Sequence, residues 1–365
     1  MMLPGKNKFI KIIVIDDSQT ILELLVALFQ QTNDILVIGT GKTGEDAVRL
    51  TKSLNPDLIL TDIRMPIMDG LQATKQIMKE MPKPIVLMSS QLNTPDTDLT
   101  FAAMHAGALA AIGKPNLNDP ANCESLIQLV RNMSSVPVLR HWGNTTKLSM
   151  SSLAMRHEPQ RRLTKNLTNP NTVDLNRIDI IGIASSTGGP AALATIFKKL
   201  TPDFPIPILV VQHMSPGFTP GLQEWLSTQT KIKIKIAKIG DQPTPGTVLL
   251  APDDHHMWIN KKRTVELNKA APVKGLRPSA NFMLGSIGEA YLSRSCGIIL
   301  TGMGDDGSDG VKIIREKGGI TMAQDEDSCV VFGMPREAIS RNLIDHVLNL
   351  HQVGSAFESI LRNRS

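Results

Sequence analysis

The chain has 365 residues, room for two or three domains. Apolar residues make up 41% and charged residues 20%, which excludes a disordered or collagen-like chain, and three cysteines exclude a disulfide scaffold. The formal charge of +5 is unevenly spread: residues 1–133 carry a net of −2, residues 134–176 carry +4 and residues 177–365 carry +3.

Lys6, Lys8 and Lys11 precede no long apolar core, and no apolar run reaches about 18 residues. Neither a signal peptide nor membrane insertion is expected, and a reducing, cytoplasmic setting is the default.

In the first 133 residues, strand-length apolar runs occur at Ile12–Ile15, Ile35–Ile38, Leu58–Leu60, Ile85–Met88 and Leu109–Ile112. Between them lie helical patterns such as Ile21, Leu24, Leu25 and Leu28. Five strands alternating with five helices predict a parallel, doubly wound sheet, which binds ligands at the carboxyl ends of its strands. Asp16 and Asp17 follow the first strand, Asp62 follows the third, Ser89 ends the fourth and Lys114 follows the fifth. Clustered carboxylates suit a hard divalent cation, and a Lys with a hydroxyl suits an added phosphoryl group. The chemistry implied is phosphoryl transfer to Asp62. Any one of these acids could merely cap a helix.

The pieces IIVIDDS, LILTDIRMPIMDG, PIVLMSS and IGKP resemble response-regulator receiver domains over residues 9–133. The resemblance implies that Asp62 is the phosphoacceptor. It also implies that Asp16, Asp17, Asp62 and the Arg64 carbonyl serve Mg²⁺, Asp16 through water, while Ser89 and Lys114 hold the phosphoryl group. Many receivers carry an aromatic switch residue where this chain has Ala111, so the signal is expected to travel by loop shifts.

Residues 134–176 are rich in Ser, Thr, Asn, Arg and Pro and read as a basic polar linker, with one helical turn around Ser151–Arg156. The charge there is expected to be a solvated tether rather than a nucleic-acid contact.

From Arg177 a second α/β pattern begins, with buried-strand runs at Ile178–Ala184, Ile208–Gln212 and Gly297–Thr301. Lys231–Ala237 alternates strictly and predicts a half-exposed strand. Helices are predicted over Ala191–Leu200, Pro220–Thr228, Ser279–Ser293 and Gly310–Lys317, and a hairpin around Asn260–Arg263. The first of these strands ends in Ser185-Ser186-Thr187-Gly188-Gly189-Pro190, the next delivers His213, and the third leads to Asp305-Asp306-Gly307. Ser186, His213 and Asp306 thus share one sheet edge, the placement a nucleophile, base and orienting acid require. Taken alone, the Gly-rich turn could instead bind phosphate, and His255 and His256 are competing bases. No metal-ligand spacing joins the histidines.

ASSTGGP, VVQHMSPGF, GLRPSANFML, GIILTGMGDDG and CVVFGMPREA resemble the catalytic domain of chemotaxis protein-glutamate methylesterases over about residues 178–350. The resemblance implies Ser186 as nucleophile, His213 as general base, Asp306 as orienting acid, and Thr187 and Met303 at the oxyanion site. Ala184-Ser185 and Asp305 depart slightly from that family's usual residues.

The expected architecture is therefore α/β: a five-stranded doubly wound receiver (1–133), a linker (134–176) and a doubly wound, mostly parallel-sheet serine hydrolase domain (177–365). The resemblance implies phosphorylation-activated hydrolysis of glutamate methyl esters, with methanol released and glutamine deamidated as well. Chemoreceptors would be the substrate, a chemotaxis histidine kinase the phosphodonor and Mg²⁺ the receiver's ion, with no cofactor for hydrolysis. The alternatives are a receiver-regulated esterase or amidase on another protein, a catalytically silent receptor-binding adaptor, and a DNA-binding regulator. The last would need a basic recognition helix after the linker.

Overall fold

The computed structural model describes residues 9–89, 94–136, 138 and 175–364. Most of the expected linker, including its helical turn at Ser151–Arg156, lies outside them.

The strands of the N-terminal half are β1 (Ile10–Ile15), β2 (Ile35–Gly41), β3 (Leu58–Asp62), β4 (Ile85–Ser89) and β5 (Ala110–Gly113). They alternate with α1 (Gln19–Gln30), α2 (Gly44–Leu54), α3 (Gly70–Glu80), α4 (Thr94–His105) and α5 (Pro120–Ser134). All strand pairs are parallel, in the order β2-β1-β3-β4-β5. Helices cover both faces because β1, β3 and β4 are apolar runs buried on both sides. Local chemistry sets the helix starts: Thr43 accepts from the Asp46 amide, and Asp69 and Gln72 form a reciprocal capping box on α3. The strand order reverses beside β1, which brings Asp16, Asp17 and Asp62 to one crevice.

The second half contains β6 (Ile180–Ser185), α6 (Gly189–Phe197), β7 (Ile208–Gln212), α7 (Thr219–Gln229), β8 (Lys233–Ile236) and β9 (Thr247–Leu250). Next come β10 (His256–Ile259), β11 (Val265–Asn268), α8 (Ala280–Tyr291), β12 (Ser295–Ile299), α9 (Ser308–Glu316) and β13 (Ile320–Gln324). The chain ends with α10 (Met334–Ser340), β14 (His346–Leu348) and α11 (Leu350–Arg364). Seven strands form a sheet in the order β14-β13-β12-β6-β7-β9-β8, and all its pairs are parallel. The antiparallel pair β10–β11 is the expected hairpin, separate from that sheet. The alternating Lys/Ile segment is the edge strand β8, where exposed Lys233 and Lys235 guard the open ladder and Ile234 is buried.

Strand β12 begins two residues earlier than its apolar run suggested, because Ser295 and Cys296 are also fully buried. Val136 packs into the first domain's core and Leu175 into that of the second, so core packing reaches into both ends of the expected linker.

The two domains touch. Phe101 of α4 is fully buried within the second domain's core. Its ring stacks on Trp225 of α7 at 5.6 Å and meets Phe218 edge-on at 6.5 Å. Val330 and Val331 of the second domain pack against one of the receiver's core clusters.

Candidate active site and receiver pocket

Strand register builds the second domain's site. Ser185 pairs with Gln212 and Ala184 with Ile299, so the residues one step beyond β6 and β7 are neighbours. The ladder continues past the strands through His213 N–H to Ser185 O at 2.9 Å and Ser186 N–H to Thr301 O at 3.0 Å. Gly188 then turns the chain into α6 with φ of 79°, a conformation open to Gly, and a β-carbon there would overlap Val330.

His213 Nε2 lies 2.9 Å from Asp306 Oδ2. Asp306 is 3% exposed and well partnered. It accepts from the Ser279 hydroxyl at 2.8 Å and from the Ala280 and Asn281 amides at 2.6 and 3.1 Å, the first amides of α8. Burial pushes its pKa up, but His213, the Ala280 amide and the Ser279 hydroxyl outweigh burial and hold it below the usual carboxylate range. An ionised Asp306 can only accept, so the facing Nε2 carries a proton and Nδ1 is the ring nitrogen left to act as a base.

The Ser186 side faces a cavity of about 390 Å³ that Thr187, His213, Met214 and Met303 also line. Among the described residues, the amides of Thr187 and Met303 donate to no acceptor. The Ser185 hydroxyl is fully buried and committed to Gln212, so Ser186 carries the accessible hydroxyl of the pair. The cavity's other wall comes from the first domain: Phe101, Met104, Leu109–Ile112 and Leu129.

His255 and His256 lie apart from this constellation. His255 Nδ1 meets the Asp253 carbonyl at 2.8 Å. His256 is buried, stacks on Phe282 and accepts from the Ser279 amide at 3.2 Å. Asp305 pairs with Lys274 at the surface.

In the first domain, ligand atoms of Asp16, Asp17 and Asp62 lie within 4.8 Å of one another. Lys114 Nζ is 2.7 Å from both Asp16 Oδ2 and Asp62 Oδ2. The Lys114 ammonium is thus the ion-pair partner of the buried Asp16 Oδ2, which accepts no other hydrogen bond among the described residues. Burial raises the Asp62 pKa above the carboxylate range against the pull of Lys114. Burial lowers that of Lys114, but Asp16 and Asp62 reverse this and raise it. Ser89 ends β4 and is buried. The Arg64 amide approaches Asp62 Oδ1 at 3.4 Å.

A receiver-domain model, "Response regulator receiver domain", matches residues 12–127, and "CheB methylesterase" matches residues 181–357. A Myxococcus xanthus protein named protein-glutamate methylesterase/protein-glutamine glutaminase 4 is 38% identical over 98% of this chain and 98% of its own length. The chain belongs to the CheB methylesterase family. A Nitrosospira multiformis protein-glutamate methylesterase/protein-glutamine glutaminase is 36% identical over 97% of this chain and 98% of its own. The crystal structure of the Thermotoga maritima CheB methylesterase catalytic domain is similar at 38% identity and a TM-score of 0.48, covering 50% of this chain and 98% of that one.

Several polar residues around this CheB-type site were not legible as site residues. Ser279, Ala280 and Asn281 stand at the start of a predicted helix, yet they hold Asp306 and Gly307. The clue was a helix start with nothing acidic of its own in the first turn. In the sequence Gln212 simply ends an apolar strand; the polar residue that closes the run ILVVQ is the signal of its role.

Proposed function

We propose that the chain hydrolyses methyl esters of glutamate side chains on methyl-accepting chemoreceptors, releasing methanol, and deamidates glutamine through the same acyl intermediate. The observation that carries this reading is the pairing of His213 with an ionised Asp306 beside the Ser186 turn, in a cavity walled by the receiver. His213 Nδ1 takes the Ser186 proton and Oγ attacks the ester carbonyl. The oxyanion meets the amides of Thr187 and Met303, which donate to no acceptor among the described residues. The imidazolium, held by Asp306, gives its proton to the departing methoxide, and methanol leaves. Water, deprotonated by His213, then releases glutamate and restores Ser186.

Control comes from Asp62 as phosphoacceptor, with Lys114 and Ser89 gripping the added oxygens and a chemotaxis histidine kinase as donor. The acidic cluster and the buried Asp16 oxygen, whose partner is the Lys114 ammonium, suit a hard cation. Asp16, Asp17, Asp62 and the Arg64 carbonyl would hold Mg²⁺, which neutralises phosphoryl charge when bound. Strand β5 ends next to Lys114 and gives Ala110–Ile112 to the cavity wall, so a Lys114 shift toward the phosphoryl group is carried to the cover. Ala111 has no aromatic ring to swing, so the strand and its loops carry the signal. Domain limits near 133 and 177 and a cytoplasmic location complete the reading; among the described residues no helix is long and apolar enough to cross a membrane.

Incubation with receptor carrying labelled methyl esters tests the chemistry. Volatile label should appear, and Ser186→Ala should lower turnover on the order of 10⁶-fold. Near-normal release by that variant would move the nucleophile elsewhere.

A further inference from the structure

One buried side chain bridges the Ser186 turn and His213. Gln212 ends β7 and is 8% exposed. Its Oε1 accepts from the Ser185 hydroxyl at 2.7 Å. Its Nε2 donates to the carbonyls of Ser186 and His213, both at 2.8 Å. Both amide hydrogens are used. Ser185 fixes the amide's orientation: if it flipped, its oxygen would face two carbonyl oxygens and the hydroxyl would lose its acceptor. Gly189 leaves room for this arrangement, because a β-carbon there would overlap Gln212 Oε1.

Ser186 and His213 both lie one residue past their strands. Their amides still join the ladder; within the turn the Ser186 carbonyl accepts from the Gly189 amide at 2.8 Å, whereas among the described residues no backbone amide reaches the His213 carbonyl. Gln212 gives each of these carbonyls a side-chain donor and so ties the two to one another. We propose that Gln212, oriented by Ser185, is a positioning residue that sets the geometry between the Ser186 hydroxyl and the His213 imidazole. The inference rests on the proposed roles of Ser186 and His213. A displacement of about 1 Å between reacting groups costs on the order of 100-fold in rate.

The test uses the full chain and two readouts. The first is the rate of Ser186 labelling by a fluorophosphonate: Oγ attacks phosphorus, fluoride leaves, and His213 takes the hydroxyl proton. The second is kcat and KM for methanol release from methyl-labelled receptor. Gln212→Leu should slow labelling about 10- to 100-fold and lower kcat alike, with KM within about twofold. Gln212→Glu keeps the acceptor for Ser185 but sets an anionic oxygen against two carbonyls. Its activity relative to the parent should rise between about pH 8 and about pH 6, as the buried introduced carboxyl gains a proton and donates again. Ser185→Ala, the variant gentlest on folding, should slow labelling by a smaller factor, about threefold or more. It decides the matter if Gln212→Leu does not melt cooperatively. Labelling within about twofold of the parent in every folded variant, a loss confined to KM, or a pH-independent ratio for Gln212→Glu would each overturn the proposal. If the parent labels at Ser186 yet releases no methanol, the substrate reading fails, and the labelling rates still decide the role of Gln212.

Discussion

Asp306 shows how one residue's environment decides its chemistry. A carboxylate this buried would ordinarily rise in pKa, yet its partners hold it below the usual range. A depressed folded value means that Asp306 contributes stability above its unfolded value near 3.8, and that this contribution is lost as pH falls through the lower folded value. Thermal melts of the parent and Asp306→Asn should therefore converge as the pH drops below about 4. A stability gap that stays constant into acid would show that the carboxylate's charge is not what Ser279, Ala280 and His213 stabilise. At this scale the sequence reads well where chemistry needs a distinctive residue type. Ser186 and His213 directly follow β6 and β7, Asp306 lies in the loop between β12 and α9, and the structure brings His213 and Asp306 into contact. It reads poorly where the role comes from backbone hydrogen bonding. His256 reads as a rival base because its partners, the Ser279 amide and the Ala271 carbonyl, are invisible in the sequence.

At the scale of elements, apolar runs gave away the strands buried on both faces, such as β1, β4, β6 and β7. Short ones such as β14 (His346–Leu348) left too little pattern to read. The start of β12 was hidden because Ser295 is polar yet fully buried, its hydroxyl donating to the Leu292 carbonyl. The docking of α4 on α7 was also hidden. Phe101 reads as an ordinary core residue of its own domain, but its ring sits between Phe218 and Trp225 of the other. Truncating a buried Phe costs about 3–5 kcal/mol. If that contact holds the receiver over the cavity, Phe101→Ala should raise methanol release by the unmodified protein about tenfold or more, since about 1.4 kcal/mol is worth a factor of ten. An unchanged basal rate in a folded variant would assign the contact to stability alone.

Across the whole molecule, two parallel sheets each place their chemistry at a point where strand order reverses: beside β1 in the receiver and beside β6 in the catalytic domain. The receiver's acid pocket and the Ser186 cavity are joined by β5, which borders both. On the proposed reading, a phosphoryl group would add about −1.5 to −2 charges at Asp62 and draw on Lys114, whose present partners are Asp16 and Asp62. On that reading, phosphorylation uncovers the esterase cavity. The most direct measurement is methanol release from methyl-labelled receptor by the full chain, with and without a small phosphodonor and Mg²⁺, beside Asp62→Ala. Release should rise only when donor and ion are both present, and not at all in Asp62→Ala. Equal rates with and without the donor, or the same rise in Asp62→Ala, would contradict it.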